Sequence, residues 1–189
     1  MLICSGRFML RVESRLERRR AHRGPHAQRR PLEERMPVTT DEGITRILQS
    51  AKTIALVGAS NNPDRASYAV MRYLLDLGYN VIPVNPMEQE VVGLKAYPSV
   101  SDIPVPVDMV DIFRKSEDAA PIVDEAVKIG AKYVWLQLDI FADEQVARAE
   151  AAGLECVVDR CPAIEMPRMG IGPENPHKPT NRKKREADE

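Results

Sequence analysis

The sequence predicts an α/β protein: a doubly wound, parallel, five-stranded sheet of the Rossmann-like kind, in a single domain. Three observations carry that expectation. Short apolar runs rich in β-branched residues alternate with segments of helical spacing from Thr53 to Val158, and such alternation favours parallel strands joined by right-handed helical crossovers. The first run, Thr53-Ile54-Ala55-Leu56-Val57, meets a Gly58-Ala59-Ser60 turn, crosses a polar loop and enters a helical segment. Unpaired backbone N–H groups and the positive end of a helix dipole thereby converge where an anion can sit. Glycines 78, 130 and 153 stand at the ends of successive helical segments, as helix-terminating residues should.

The elements follow in order. A first helix is expected from Thr40 or Asp41 to Ser50, with Ile44, Ile47 and Leu48 spaced to cover a sheet edge. After the strand Thr53–Val57, the helix Ser67–Leu77 carries a wide apolar stripe of Val70, Met71, Leu74, Leu75 and Leu77. Val81–Val84 reads as a strand stopped by Asn85-Pro86. Met87 to Pro106 reads as loop-rich, with room for a short helix around Ser99–Ile103. Asp108–Phe113 is the third strand. Ser116 is placed as the cap of the next helix, with Glu117 and Asp118 at its dipole-favoured start and Ile122, Val123, Ala126, Val127 and Ile129 as its buried face. Pro121 belongs in a first turn, which argues for a start later than Ser116. Tyr133–Leu138 is the fourth strand, Asp143–Ala152 the last helix and Glu155–Val158 the fifth strand.

Charge divides the chain into three parts. Residues 1–36 hold ten arginines against four acidic residues, whereas residues 37–172 hold twelve basic against twenty acidic. The first stretch is expected to be a basic, disordered extension preceding an initiator-like Met36-Pro37, with a targeting or nucleic-acid-binding arm as the alternative; its four glutamates speak against a transit peptide. Residues 37–172 form the expected domain, and 173–189 a disordered charged tail. An acidic domain makes nucleic acid an improbable partner, because that binding depends on neutralising phosphates. No apolar run reaches the ~18 residues that a membrane helix needs. Cys4, Cys156 and Cys161 are an odd number with no signal peptide before them, which places the protein in a reducing cytoplasm. His22, His26 and His177 all fall outside the core segment, so neither a histidine triad nor a histidine-ligated metal is expected.

In an open parallel sheet the ligand crevice lies beyond the carboxyl ends of the strands. The segments that rim it are Gly58–Ser67, Asn85-Pro86, Arg114-Lys115, Gln137–Asp139 and Asp159-Arg160-Cys161. Each is polar where a ligand needs it. An NAD site calls for G-x-G-x-x-G and an acidic residue ending the second strand, and a triphosphatase calls for G-x-x-x-x-G-K-[ST]. Gly-Ala-Ser-Asn-Asn-Pro followed by Asn85 satisfies neither.

Six ordered motifs do carry a resemblance: Val57-Gly58-Ala59-Ser60, Asp64-Arg65 with Ser67-Tyr68, Val84-Asn85-Pro86, Val107 to Asp111, Val134-Trp135-Leu136-Gln137, and Asp159-Arg160-Cys161-Pro162. From about Ile47 to Gly170 the chain resembles the small bacterial CoA-binding protein family, whose fold is similar to the CoA-binding domain of the succinyl-CoA synthetase α subunit. The resemblance implies that Gly58, Ala59, Ser60, Arg65 and Ser67 hold the CoA phosphates, that Asn85 and Pro86 lie along the nucleotide, and that Arg114 closes the rim. Two positions depart from the family pattern. Met87-Glu88-Gln89-Glu90 replaces a basic residue able to meet the 3′-phosphate, and Asp139 replaces a glycine after the fourth strand, where it could crowd or repel an anion.

The residues themselves leave several roles open. Ser60 and Ser67 are phosphate ligands or turn and N-cap residues, and Arg65 is a phosphate contact or a solvated charge. Asp108 and Asp111 form a carboxylate pair, or cap loops and pair with Arg114. Cys156 belongs to the core; Cys161, at the rim, is a thiol placed to face the CoA thiol or a packing residue. Gly58 is expected either because the backbone approaches a pyrophosphate or because a Cβ would obstruct its conformation. The function this supports is binding of CoA or an acyl-CoA, with no catalytic residue and no metal assigned and with self-association or a partner protein open. An NAD(P)-linked oxidoreductase and a regulatory or scaffold protein with a degenerate nucleotide site are the alternatives.

Overall fold

The computed structural model describes residues 36–171. The expectations for the basic extension, for Cys4, for the three histidines and for the charged tail lie outside the described residues. Between these bounds the chain runs α1 (Asp41–Ser50), β1 (Thr53–Val57), α2 (Ala66–Asp76), β2 (Asn80–Val84), β3 (Glu90–Val91), β4 (Leu94–Lys95), β5 (Met109–Ile112), α3 (Ser116–Ile129), β6 (Tyr133–Leu136), α4 (Asp143–Ala151), β7 (Glu155–Val157) and α5 (Pro162–Arg168). Five strands form a parallel sheet in the order β2-β1-β5-β6-β7. The strand order reverses between β1 and β5, which makes their carboxyl ends the switch point of a doubly wound fold.

Because both faces of this sheet are covered, its strands are near-continuous apolar runs. Alternation along each strand then decides which helices a side chain meets. Ile54, Leu56, Met109, Trp135 and Val157 pack with α1, α2 and α5 residues such as Ile44, Leu74 and Met166. Ala55, Val57, Val110, Ile112, Val134 and Leu136 face α3 and α4 through Val123, Ala126 and Val146. In register, Leu56, Asp111 and Trp135 lie side by side on the first face, so one carboxyl group occupies a row of large apolar residues. The α1 edge is further tied by Arg168, which donates to Asp41 at 2.8 and 2.6 Å and to Glu165 at 3.0 and 2.6 Å.

Several expectations need correction. Met87–Pro106 is loop-rich, with the expected short helix as a 3₁₀ turn at Val100–Asp102, but it also holds an unexpected hairpin: β3 and β4 pair antiparallel through Val92 and Gly93, at φ 53° and 73°. This is a two-residue hairpin turn of the kind that suits strand twist, on strands too short for periodicity to register. The helix α3 starts at Ser116 and not later, and accommodates Pro121 in its interior. Ser116 does not cap it; its hydroxyl accepts the Phe141 N–H at 2.9 Å. Likewise α2 starts at Ala66 behind Arg65, so Ser67 is an internal helix residue and not the N-cap. The sequence reading also passes over α5, whose two prolines at 162 and 167 mask a seven-residue helix. Pro162 sits at its start, where a missing N–H costs nothing.

Candidate functional site

At the carboxyl end of the sheet lies a cleft of about 510 Å³, within the range of small-molecule sites. It is lined by Gly58, Ser60, Arg65, Ser67, Asn85 and Arg114, together with Phe113, Lys115, Gln137, Leu138, Ile140 and Cys161. Segments that follow all five strands of the sheet thus contribute to it. A shallower depression of about 540 Å³ lies on α1 beside Met169. Its main cation, Arg46, is already engaged by Glu155 at 2.8 and 2.5 Å, and it is remote from the switch point, so the strand-end cleft is the candidate site.

The Gly58 turn is built by sheet geometry. Its N–H donates to the Val84 carbonyl at 2.9 Å, its φ is +88°, and a Cβ there would overlap the Phe113 carbonyl oxygen. Of the two reasons for glycine, contact with the β5 exit and backbone conformation therefore suffice. Ala59 points into the core, and its carbonyl accepts the Asn85 Nδ2 at 2.7 Å. The other end of the Asn85 amide accepts the Met87 N–H at 3.0 Å. Asn85 is thus a brace between two strand ends. Pro86 is exposed and not among the lining residues, as Ala59 is not.

Ser60 and Ser67 both line the cleft, Ser67 at 5% exposure. Ser60 Oγ accepts the Asn62 N–H at 3.1 Å, and the Asn62 side chain accepts the Asp64 N–H at 2.9 Å. These side-chain turns lead the chain into α2, whose first residues, Ala66 and Ser67, line the cleft. The Arg65 and Arg114 guanidinium groups make no ion pair among the described residues, whereas Lys115 sits 3.5 Å from Glu117. Arg114 does not pair with Asp108 or Asp111.

A residue that the sequence reading left without a role, Asn61, ties this turn to the β3–β4 hairpin. It donates to the Glu90 carbonyl at 2.8 Å and accepts the Val92 N–H at 3.0 Å. Its Nδ2 also lies 3.4 Å from Glu88. The consecutive Asn61-Asn62 in a turn was the available signal. Met87–Glu90 consequently stays beside the phosphate-sized turn without lining the cleft.

Asp108 and Asp111 are not a pair. Asp108 lies before β5 and accepts the N–H groups of Lys52 and Thr53 at 3.0 and 3.1 Å, with Lys132 at 2.8 Å. Burial raises its pKa, but these partners outweigh burial and hold the carboxyl below the usual range. Asp111 is fully buried one layer under the cleft floor. Oδ1 accepts Gln137 Nε2 at 2.7 Å and Oδ2 has no partner. Burial pushes its pKa up to about 7, against the opposing hydrogen bonds from Gln137 and the Ile112 backbone.

Asp139 adopts φ 60°, which explains why glycine suits that position. Its N–H is held by Asp159 Oδ1 at 3.0 Å, Asp159 itself being at φ 57°. Asp139 is exposed and does not line the cleft, although its neighbours Leu138 and Ile140 do. Cys161 is half-buried and lines the cleft. Burial, partly countered by the Ala163 and Ile164 N–H groups, pushes its thiol pKa up, so it stands as a thiol and a weak nucleophile at neutral pH. Cys156 is wholly buried and its thiol is pushed up further by burial. Trp135 packs in the core and donates Nε1 to the Arg160 carbonyl at 2.7 Å, fixing the loop that carries Cys161.

A family model described as CoA binding domain matches residues 52–167. "Uncharacterized protein YneT" of Bacillus subtilis is 37% identical over 118 residues, covering 62% of this chain and 87% of that protein. The protein named acetate–CoA ligase (ADP-forming) II subunit alpha, of Pyrococcus furiosus, is 48% identical over 82 residues, 43% of this chain but only 18% of that subunit. Among solved structures, a hypothetical protein from Pyrococcus horikoshii OT3 is 46% identical, with a TM-score of 0.68, covering 71% of this chain and 96% of that one.

Proposed function

The chain belongs to the CoA-binding domain family, and on that premise we propose that its cleft holds CoA or an acyl-CoA, with the phosphates at the Gly58-Ala59-Ser60 turn. The observation that carries this reading is the lining of the cleft. Two guanidinium groups without an ion pair among the described residues, Arg65 and Arg114, and two hydroxyls, Ser60 and Ser67, line the same cleft as the start of α2. That set suits a pyrophosphate, because a helix N-terminus and charge-assisted hydrogen bonds both favour an anion. The same lining includes the apolar Phe113, Leu138 and Ile140 and the thiol of Cys161, which suits a largely apolar arm ending in a thiol or thioester.

Among the described residues the cleft lining holds no histidine and no carboxylate, and the role we propose is binding of the CoA ligand, with no catalytic group assigned. The alternative of a nicotinamide site gains no support from Asn85, whose amide is spent on Ala59 and Met87 and offers no carboxylate for ribose hydroxyls. A cytoplasmic setting agrees with a CoA ligand and with two free thiols, Cys156 and Cys161. Among the described residues no helix is long and apolar enough to cross a membrane.

Native mass spectrometry of the purified chain, followed by calorimetry with CoA, tests the proposal. A retained mass of CoA or a thioester, and saturable CoA binding competed by acetyl-CoA but not by NAD, is the expected result. Absence of CoA binding with intact folding would leave a degenerate site and overturn the reading.

A further inference from the structure

Gln137 follows β6 and lines the cleft, two strands away from the phosphate turn along the order β1-β5-β6. Strands are spaced by about 4.8 Å, so the offset is roughly 10 Å. Its backbone has no freedom: the N–H donates to Ile112 at 3.4 Å and the carbonyl accepts Ile140 at 3.1 Å. Its side chain is only 5% exposed. What remains variable is which end of the amide faces the ligand. An amide can turn over, and its two ends present opposite hydrogen-bonding character.

Asp111 decides this. In the structure its Oδ1 accepts Nε2 at 2.7 Å from a wholly buried position, which turns the NH₂ end toward the protein interior and leaves Oε1 as the polar atom Gln137 offers to the cleft. A buried carboxyl beside Leu56 and Trp135 is costly, and no ion pair compensates it among the described residues. Its one side-chain partner is the amide it orients. A group retained at such a cost, next to a site, calls for a function at that site.

We propose that Gln137 is a specificity residue that accepts a hydrogen bond from an amide N–H of the pantetheine arm of CoA, and that Asp111 is the positioning residue that turns its carbonyl toward the ligand. The inference rests on the CoA reading and deepens it. A pantetheine arm carries two amides on an otherwise largely apolar chain, and the neighbouring wall of Phe113, Leu138 and Ile140 offers no other fixed acceptor side chain at that depth. Selectivity would arise because a ligand lacking the N–H leaves a desolvated acceptor unpaired.

The test is calorimetry with two ligands, CoA and 3′-phosphoadenosine 5′-diphosphate, the nucleotide part without the arm. Gln137→Leu should weaken CoA roughly five- to ten-fold, the effect of one hydrogen bond, and leave the nucleotide part within about two-fold of the parent protein. Asp111→Leu, whose side chain suits its apolar neighbours, should reproduce that pattern, and Asp111→Asn, which keeps the acceptor, should restore the parent's affinity for CoA. Thermal melts identify any variant that fails to fold, and Gln137→Leu alone still decides the first half of the proposal. CoA affinity unchanged in Gln137→Leu, or an equal loss for both ligands, would overturn the contact. Parent-like CoA affinity in Asp111→Leu would overturn the positioning role. If the parent protein bound the nucleotide part and CoA equally well, the arm would make no contact and this inference would fail alone; if it bound neither, the CoA reading would fail with it.

Discussion

Replacing Asp111 by asparagine should stabilise the protein above neutral pH and flatten the response of its stability to pH. The carboxyl is completely buried, with one oxygen hydrogen-bonded to Gln137 and the other unpartnered. Burial lifts its pKa from 3.8 to about 7. The native state therefore holds this proton where the unfolded chain has released it. By linkage, stability is undiminished below the unfolded pKa, falls as pH rises from about 4 to about 7, and stays reduced above that. At 1.36 kcal/mol per unit the whole effect is on the order of 4 kcal/mol, of which ~2–3 kcal/mol falls between pH 5 and pH 8. Asparagine copies the neutral acid in shape, still accepts from Gln137, and does not titrate. Urea unfolding of parent and variant at pH 5, 6, 7 and 8 measures it, because the difference between them cancels groups common to both. Those include Asp108 and Asp41, whose lowered pKa values act at more acidic pH and with the opposite sign. The variant's advantage should grow by ~2–3 kcal/mol across the window. An advantage that is the same at pH 5 and pH 8 would refute the argument, since it would mean that Asp111 is already ionised at little cost in the folded protein.

Gly58→Ala should lower stability by ~2 kcal/mol or more, because a Cβ at φ +88° meets the Phe113 carbonyl; a melt within about 1 °C of the parent would contradict this. Ser60→Ala and Ser67→Ala should each weaken CoA by roughly five-fold and leave helicity by circular dichroism unchanged, since Ser67 is not the cap of α2. Arg65→Ala should weaken CoA about ten-fold or more and reduce the salt dependence of binding, as loss of a charge-assisted phosphate contact requires. CoA and 3′-dephospho-CoA should bind within a few-fold of each other, because Met87–Glu90 supplies no cation beside the turn; a preference of roughly ten-fold or more for CoA would locate a distant Lys or Arg at the 3′-phosphate.

Much of this protein was legible in one dimension because parallel α/β structure is written locally. The runs Thr53–Val57 and Val81–Val84, the stripe from Val70 to Leu74 and the helix-ending glycines each report their own element, and their alternation reports the topology. Which strand ends rim the cleft then follows from the rule for open sheets. The family resemblance was legible for the same reason, since its motifs lie at those strand ends. Non-local contacts were not legible. Ser67 reads as a cap until Arg65 is seen to precede the helix, and Ser116 reads as a cap until Phe141, 25 residues away, is seen to use its hydroxyl. Gly58 is fixed by Phe113 just past a neighbouring strand, and the hairpin at Glu90–Lys95 is held by Asn61 from another loop. Asp111 is the clearest case. On paper it alternates with apolar residues like any edge carboxylate, yet sheet register sets it between Leu56 and Trp135 beneath Gln137, where loss of water rather than any neighbouring charge determines its protonation.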